Sequence, residues 1–207
     1  MKELSFVHQF VAAAPSASSR ALLLLHGTGG DEEQLLGLGR ELDPEAALLS
    51  PRGKVLENGA PRFFRRFAEG VFDEADIIAR AKELANFIDE ATAHYGIDIG
   101  KLSAIGYSNG ANIAAAVMLL GLARFPKAIL LRPMVPLAPA TPLDLSRARL
   151  LLMGGEFDPI ARPPIVKQLA ELLHGAGASV TLEFQSSGHE LTPADVAKGR
   201  QWLIDTR

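Results

Sequence analysis

Short apolar runs, interspersed with longer helix-forming segments, constrain this chain more than any other feature. Ala21 to Leu25, Ala46 to Leu49, Leu102 to Ile105, Ala128 to Leu131 and Leu150 to Met153 are continuous rather than alternating, the pattern of strands buried on both faces. Val180 to Phe184 reads as another strand, and Leu4 to Val11 as a partly alternating one. Helices are expected over Asp31 to Leu42, from a cap at Asp73 or Asp76 to about Tyr95 with a stop at Gly96, over Ala111 to Leu120, over Arg162 to His174, and over Pro193 to Ile204. Strands and helices therefore alternate. That order predicts an α/β fold with a mostly parallel central sheet, helices on both faces and right-handed crossovers. Arg52 to Phe72 is a long connection bearing glycines and arginines. Pro133, Pro136, Pro139 and Pro142 punctuate another before Leu150, and Ala12 to Ser19 reads as a surface link.

At 207 residues and 48% hydrophobic content the sequence is expected to form one domain, residues 1–207, with a sizeable core. The net charge is −3, so no global field favours nucleic acid or an anionic membrane. There is no cysteine, which removes disulfide and thiolate chemistry and fits a cytoplasmic location. The start of the chain does not read as a secretion signal, because Phe6 to Val11 is interrupted by His8 and Gln9. No apolar run approaches the roughly 18 residues that span a bilayer.

Gly106-Tyr107-Ser108-Asn109-Gly110 lies between an apolar run and a helix-like one. A G-x-S-x-G turn in that context holds its serine in a strained backbone and presents the hydroxyl. A serine hydroxyl is a poor nucleophile at neutral pH and needs an imidazole base oriented by a carboxylate. Asp158 follows the run Leu150 to Met153, and His189 follows Val180 to Phe184. The order Ser108, Asp158, His189 is the one expected of an α/β-hydrolase arrangement. Asp144 is the substitute for the acid. His94 and His174 stand at expected helix ends, His26 suits a loop-bracing role, and His8 is a strand residue. For the charge that develops on an attacked carbonyl oxygen, the donors expected are the backbone amides of Thr28 and Asn109.

The glycine turn His26-Gly27-Thr28-Gly29-Gly30 also suggests a nucleotide site. Two features oppose it: the third glycine of G-x-G-x-x-G falls at Glu32, and three acids at positions 31–33 would repel a pyrophosphate. Nor is there a G-x-x-x-x-G-K-[ST] motif or an i, i+4 histidine pair for zinc, so neither a cofactor nor a metal is called for.

Taken together, His26-Gly27-Thr28-Gly29-Gly30-Asp31, Gly106 to Gly110, Gly155-Glu156-Phe157-Asp158 and Gly188-His189-Glu190 resemble the small α/β-hydrolase carboxylesterases related to acyl-protein thioesterases and bacterial phospholipase/carboxylesterase proteins. The likeness covers nearly the whole chain. Pro51-Arg52-Gly53, Asn58 to Arg66 and Gly70 to Asp73 look most like a bacterial branch linked to hydroquinone and copper stress. The resemblance implies an α/β-hydrolase fold, a Ser108, Asp158, His189 triad and oxyanion amides at Thr28 and Asn109. One departure matters: thioesterase-like relatives carry a tryptophan soon after the first glycine turn, whereas the one tryptophan here is Trp202. That speaks against removal of lipid from proteins.

Only Arg132 to Arg149 separate two of the expected strands, too short a stretch for a large lid. An open site is expected, walled by Phe63, Phe64 and Met134, with Phe67 nearby, and suited to small or aromatic esters. Arg62, Arg65 and Arg66 are either contacts for an acidic substrate group or structural ion pairs. The expected partner is a small-molecule ester, with a homodimer as the prior for a soluble enzyme. Two function classes stand: a serine carboxylesterase, with thioesterase or lysophospholipase activity as the variant, and a non-catalytic binding protein on the same fold.

Overall fold

The computed structural model describes residues 4–13, 19–139 and 143–206. Among these residues eleven strands and five α-helices follow in chain order: β1 (His8–Val11), β2 (Ala21–Leu25), α1 (Leu36–Leu42), β3 (Ala47–Pro51), β4 (Val55–Glu57), β5 (Ala60–Arg62), β6 (Arg66–Ala68), β7 (Val71–Phe72), α2 (Glu74–Tyr95), β8 (Leu102–Tyr107), α3 (Asn109–Leu119), β9 (Lys127–Leu131), β10 (Arg149–Gly155), α4 (Pro163–Gly175), β11 (Ser179–Gln185) and α5 (Pro193–Asp205). Seven strands form one sheet in the order β1-β3-β2-β8-β9-β10-β11. All neighbours run parallel except β1, which pairs antiparallel with β3 at the edge. The alternation of elements thus becomes an α/β-hydrolase fold.

The continuous apolar runs follow from burial on both faces. Leu23, Leu25, Ala104, Leu130 and Leu152 point into a core with α2, α3 and α4. Leu22, Leu24, Ile105, Ile129, Leu151 and Met153 point into a second core with α1 and α5. A strand with cores on both sides has no polar face, so the period-2 alternation vanishes. Helix α3 is buried along its whole length, and its alanines let it sit closely under α2 and against β8. Helix α2 starts at Asp73, whose carboxylate accepts the amide of Asp76, and ends at Gly96 with φ of 66°. Asp73 rather than Asp76 is therefore the cap.

The structure departs from expectation in two connections. Helix α1 begins at Leu36 and not Asp31, because residues 31–35 make tight turns and spend their side chains elsewhere. Asp31 accepts the amide of Glu33, Gln34 accepts the amide of Gly27, and Glu32 forms an ion pair with Arg52. The stretch 52–72 folds into two small hairpins, β4 with β5 and β6 with β7. Asn58 and Gly59 turn the first with φ of 51° and 84°. Asn-Gly is the strongest short hairpin signal, and it was present in the sequence. Within the link 12–19 and the proline-rich connection, positions 14–18 and 140–142 lie outside the described residues. Among the described residues no helix is long and apolar enough to cross a membrane.

Candidate active site

Strand β8 is the central strand of the large sheet, and Ser108 stands just beyond its carboxyl end. Its backbone has φ 51° and ψ −111°, outside the regions open to an ordinary side chain. Two close approaches make this turn. A Cβ on Gly106 would lie 2.6 Å from the Cα of Ala111, and one on Gly110 would lie 1.9 Å from the carbonyl oxygen of Leu25. Only glycine fits either place. The turn is fixed further by the Ser108 amide, which donates to the Leu131 carbonyl at 2.9 Å.

Strands β10 and β11 carry the other two groups on the loops beyond their carboxyl ends. The Nε2 of His189 lies 2.9 Å from the Ser108 hydroxyl oxygen, and its Nδ1 lies 2.8 Å from Oδ2 of Asp158. A carboxylate can only accept, so Nδ1 carries the hydrogen and Nε2 is left as the acceptor for the serine. Asp158 is buried, and its other oxygen accepts the amides of Ile160 and Ala161 at 2.8 and 2.9 Å. The two loops are also tied together: the Glu156 amide donates to the Gln185 carbonyl and the Phe157 amide to the Ser187 carbonyl. Asp144, the substitute acid, instead accepts the amide of Ser146 on the surface.

The glycine turn is a type II turn with Gly29 at φ 81°, closed by the Gly30 amide donating to the Gly27 carbonyl at 3.1 Å. The Gly27 amide donates to Gln34 and the Gly29 amide to the Pro61 carbonyl. Among the described residues no acceptor takes the amide of Thr28, which lies between them. The amide of Asn109 opens α3, where the first turn has no carbonyl to bond, and it too is untaken. His26 braces this turn. Its Nδ1 donates to the Gly27 carbonyl and its Nε2 accepts the Gly53 amide at 2.9 Å, while burial pushes the imidazole below its usual value.

The expected aromatic walls are a correction. Phe63 is 2% exposed and Phe64 0%, because the hairpins fold back and tuck both rings into the core. Phe63 lies tilted against His26 with ring centroids 4.6 Å apart, and Phe64 meets Phe72 edge-on. Met134 is also buried, its main-chain amide donating to Asn112. Among the large apolar side chains left open are Phe67 on β6 and Phe157 beside Asp158, at 76% and 72% exposure. The arginines of the connection are spent on structure. Arg62 is buried against the Phe64 carbonyl, the Thr28 hydroxyl and Glu57; Arg65 pairs with Asp73 and Asp76, and Arg66 with Glu57.

Sequence reasoning missed three residues around His189. Arg132, Tyr107 and Asp195 all bond to its loop or to one another. The traces they left were an arginine directly after a buried strand and the Thr192-Pro193 helix start, which with Asp195 makes a capping box.

A serine turn at the carboxyl end of a central parallel strand, on a sheet covered by helices on both faces, defines an α/β-hydrolase. This chain belongs to the carboxylesterase family of that fold, in the branch of the Bacillus subtilis (strain 168) protein described as "Putative hydrolase MhqD". The two are 45% identical over 185 residues, covering 89% of this chain and 92% of the relative. The structure is similar to the Bacillus cereus carboxylesterase, with a TM-score of 0.93, 44% identity, and coverage of 98% of this chain and 95% of the other. It is also similar to the Mesorhizobium loti carboxylesterase, with a TM-score of 0.91, 35% identity, and coverage of 99% and 97%. No family model matches the chain. The protein is a carboxylic ester hydrolase.

Proposed function

We propose that this hydrolase is a serine carboxylesterase acting on small or aromatic carboxylic esters through an acyl-enzyme on Ser108. The observation that carries the reading is the unbroken line of hydrogen bonds from the Ser108 hydroxyl through His189 to Asp158. His189 takes the serine proton as Oγ bonds to the ester carbon, and the carbonyl oxygen gains charge in front of the Thr28 and Asn109 amides. Collapse breaks the ester C–O bond, and His189 returns the proton to the departing alcohol. Water then repeats the sequence on the acyl-enzyme and frees the acid. Removing one oxyanion donor in such sites costs on the order of 3 kcal/mol of barrier.

The substrate range follows from the mouth. The segment between β9 and β10 is short for a large cap, and Phe157, next to Asp158 in the sequence, offers exposed aromatic surface. A p-nitrophenyl ester series from acetate to palmitate, with phenyl acetate and an acyl thioester added, tests this with Ser108→Ala as blank. Turnover of acetate, butyrate and phenyl esters with none from Ser108→Ala is expected. Preference for palmitate or for the thioester would overturn the substrate assignment, and full activity in Ser108→Ala would overturn the mechanism.

A further inference from the structure

Arg132 follows β9 directly, is completely buried, and holds a left-handed φ of 54°. Burying a guanidinium costs several kcal/mol unless its donors are matched, so its partners can be counted. Asp195 takes it in a two-pronged ion pair, Nη1 to Oδ1 at 2.9 Å and Nη2 to Oδ2 at 2.8 Å. The remaining bonds go mostly to one short segment. Nε donates to the Gly188 carbonyl at 3.2 Å, and Nη2 donates to the Glu190 carbonyl at 2.7 Å and the Ser187 hydroxyl at 3.1 Å. These carbonyls immediately precede and follow His189. The carbonyl of His189 itself accepts from the Tyr107 phenol at 3.1 Å. Burial pushes that phenol up, so it stays a donor. Three consecutive carbonyls of a loop with no strand partner are therefore held from below.

The main chain of the same region reaches the nucleophile. Leu131 accepts the amide of Ser108, and the Arg132 amide donates to Met153 in β10 at 2.7 Å. Two adjacent residues thus fix the serine turn and the histidine loop in one frame. A buried ion pair is seldom worth more stability than the apolar residues that would fill its space. What it supplies here is geometry, since the guanidinium presents five donors in a rigid fork and a carboxylate locks that fork in place.

We propose that Arg132, locked by Asp195 and aided by Tyr107, is the positioning residue that sets His189 between Ser108 and Asp158. The proposal rests on the triad reading above. Arg132→Lys keeps the charge but cannot span the separate carbonyls, so the imidazole should drift while the substrate surface is unchanged. Expected with p-nitrophenyl acetate is a kcat about 100-fold lower, with KM unchanged, and a matching fall in the rate of fluorophosphonate labelling of Ser108. The downfield proton resonance of the His189 Nδ1–H should broaden or vanish. Asp195→Asn and Tyr107→Phe should show the same split at about tenfold. Tyr107→Phe added to Arg132→Lys should cost less than it does alone, because both act on one loop.

A folded Arg132→Lys whose kcat, labelling rate and downfield proton match the parent overturns the proposal. Should Arg132→Lys fail to fold, Asp195→Asn and Tyr107→Phe decide by the same criterion. Activity surviving in Ser108→Ala would instead defeat the triad reading, so the two failures are distinct.

Discussion

The side-chain oxygen of Asn109 accepts the amide of Phe63 at 2.7 Å, joining the residue after Ser108 to the start of the turn that buries two aromatic rings. The contact spans 46 positions of sequence and is shielded from solvent. It makes the connection 52–72 a part of the site's foundation.

Asn109→Ala removes that acceptor and leaves the Phe63 amide buried without a partner. A loss of about 1–3 kcal/mol is expected in urea unfolding. The Asn109 main-chain amide, the proposed oxyanion donor, is retained, so kcat measured well below the melting temperature should fall less than in Asp158→Asn.

Asp158→Asn leaves one oxygen to accept from Ile160 and Ala161, so folding should be preserved. The amide now facing Nδ1 favours the wrong tautomer. Expected is a kcat lower by about 10⁴ with KM little changed and a near-parental melting temperature. A drop under tenfold would remove Asp158 from the assignment.

Gly110→Ala tests the serine turn itself. The added methyl would stand 1.9 Å from the Leu25 carbonyl, between backbone segments that cannot swing aside. Destabilisation of about 2–3 kcal/mol and loss of Ser108 labelling are expected from a melting curve and a fluorophosphonate assay.

His26 gives a pH dependence with a definite sign. Its folded value is depressed by burial, so the unfolded chain binds the proton more readily. Stability therefore falls as pH drops below the ordinary imidazole value of about 6.5, by at most about 1.4 kcal/mol per pH unit, and levels off below the folded value. Urea titrations at pH 7.5 and 5.5 should show this loss in the parent and less of it in His26→Gln.

Much of the fold was legible because strands with two cores leave uninterrupted apolar runs, as Leu22 to Leu25 do. Ser108 and Asp158 each follow such a run in a glycine-containing turn, and His189 stands in one after the more polar strand Val180 to Phe184. The hairpins at 52–72 escaped because their strands are two or three residues long, too short for periodicity to register. Phe63 and Phe64 were misjudged for a related reason: whether a loop aromatic faces water depends on contacts such as that with His26, which sequence distance conceals. Arg132 was silent because its partner Asp195 is 63 positions away, and a lone arginine after a strand looks like any solvated charge.

His189 follows β11, which lies at one edge of the sheet and, among the described residues, pairs with β10 alone. An edge can fray while the middle of the sheet stays intact. Under rising denaturant, turnover should therefore disappear ahead of the bulk helical signal, making catalysis a gauge of whether that last strand is seated.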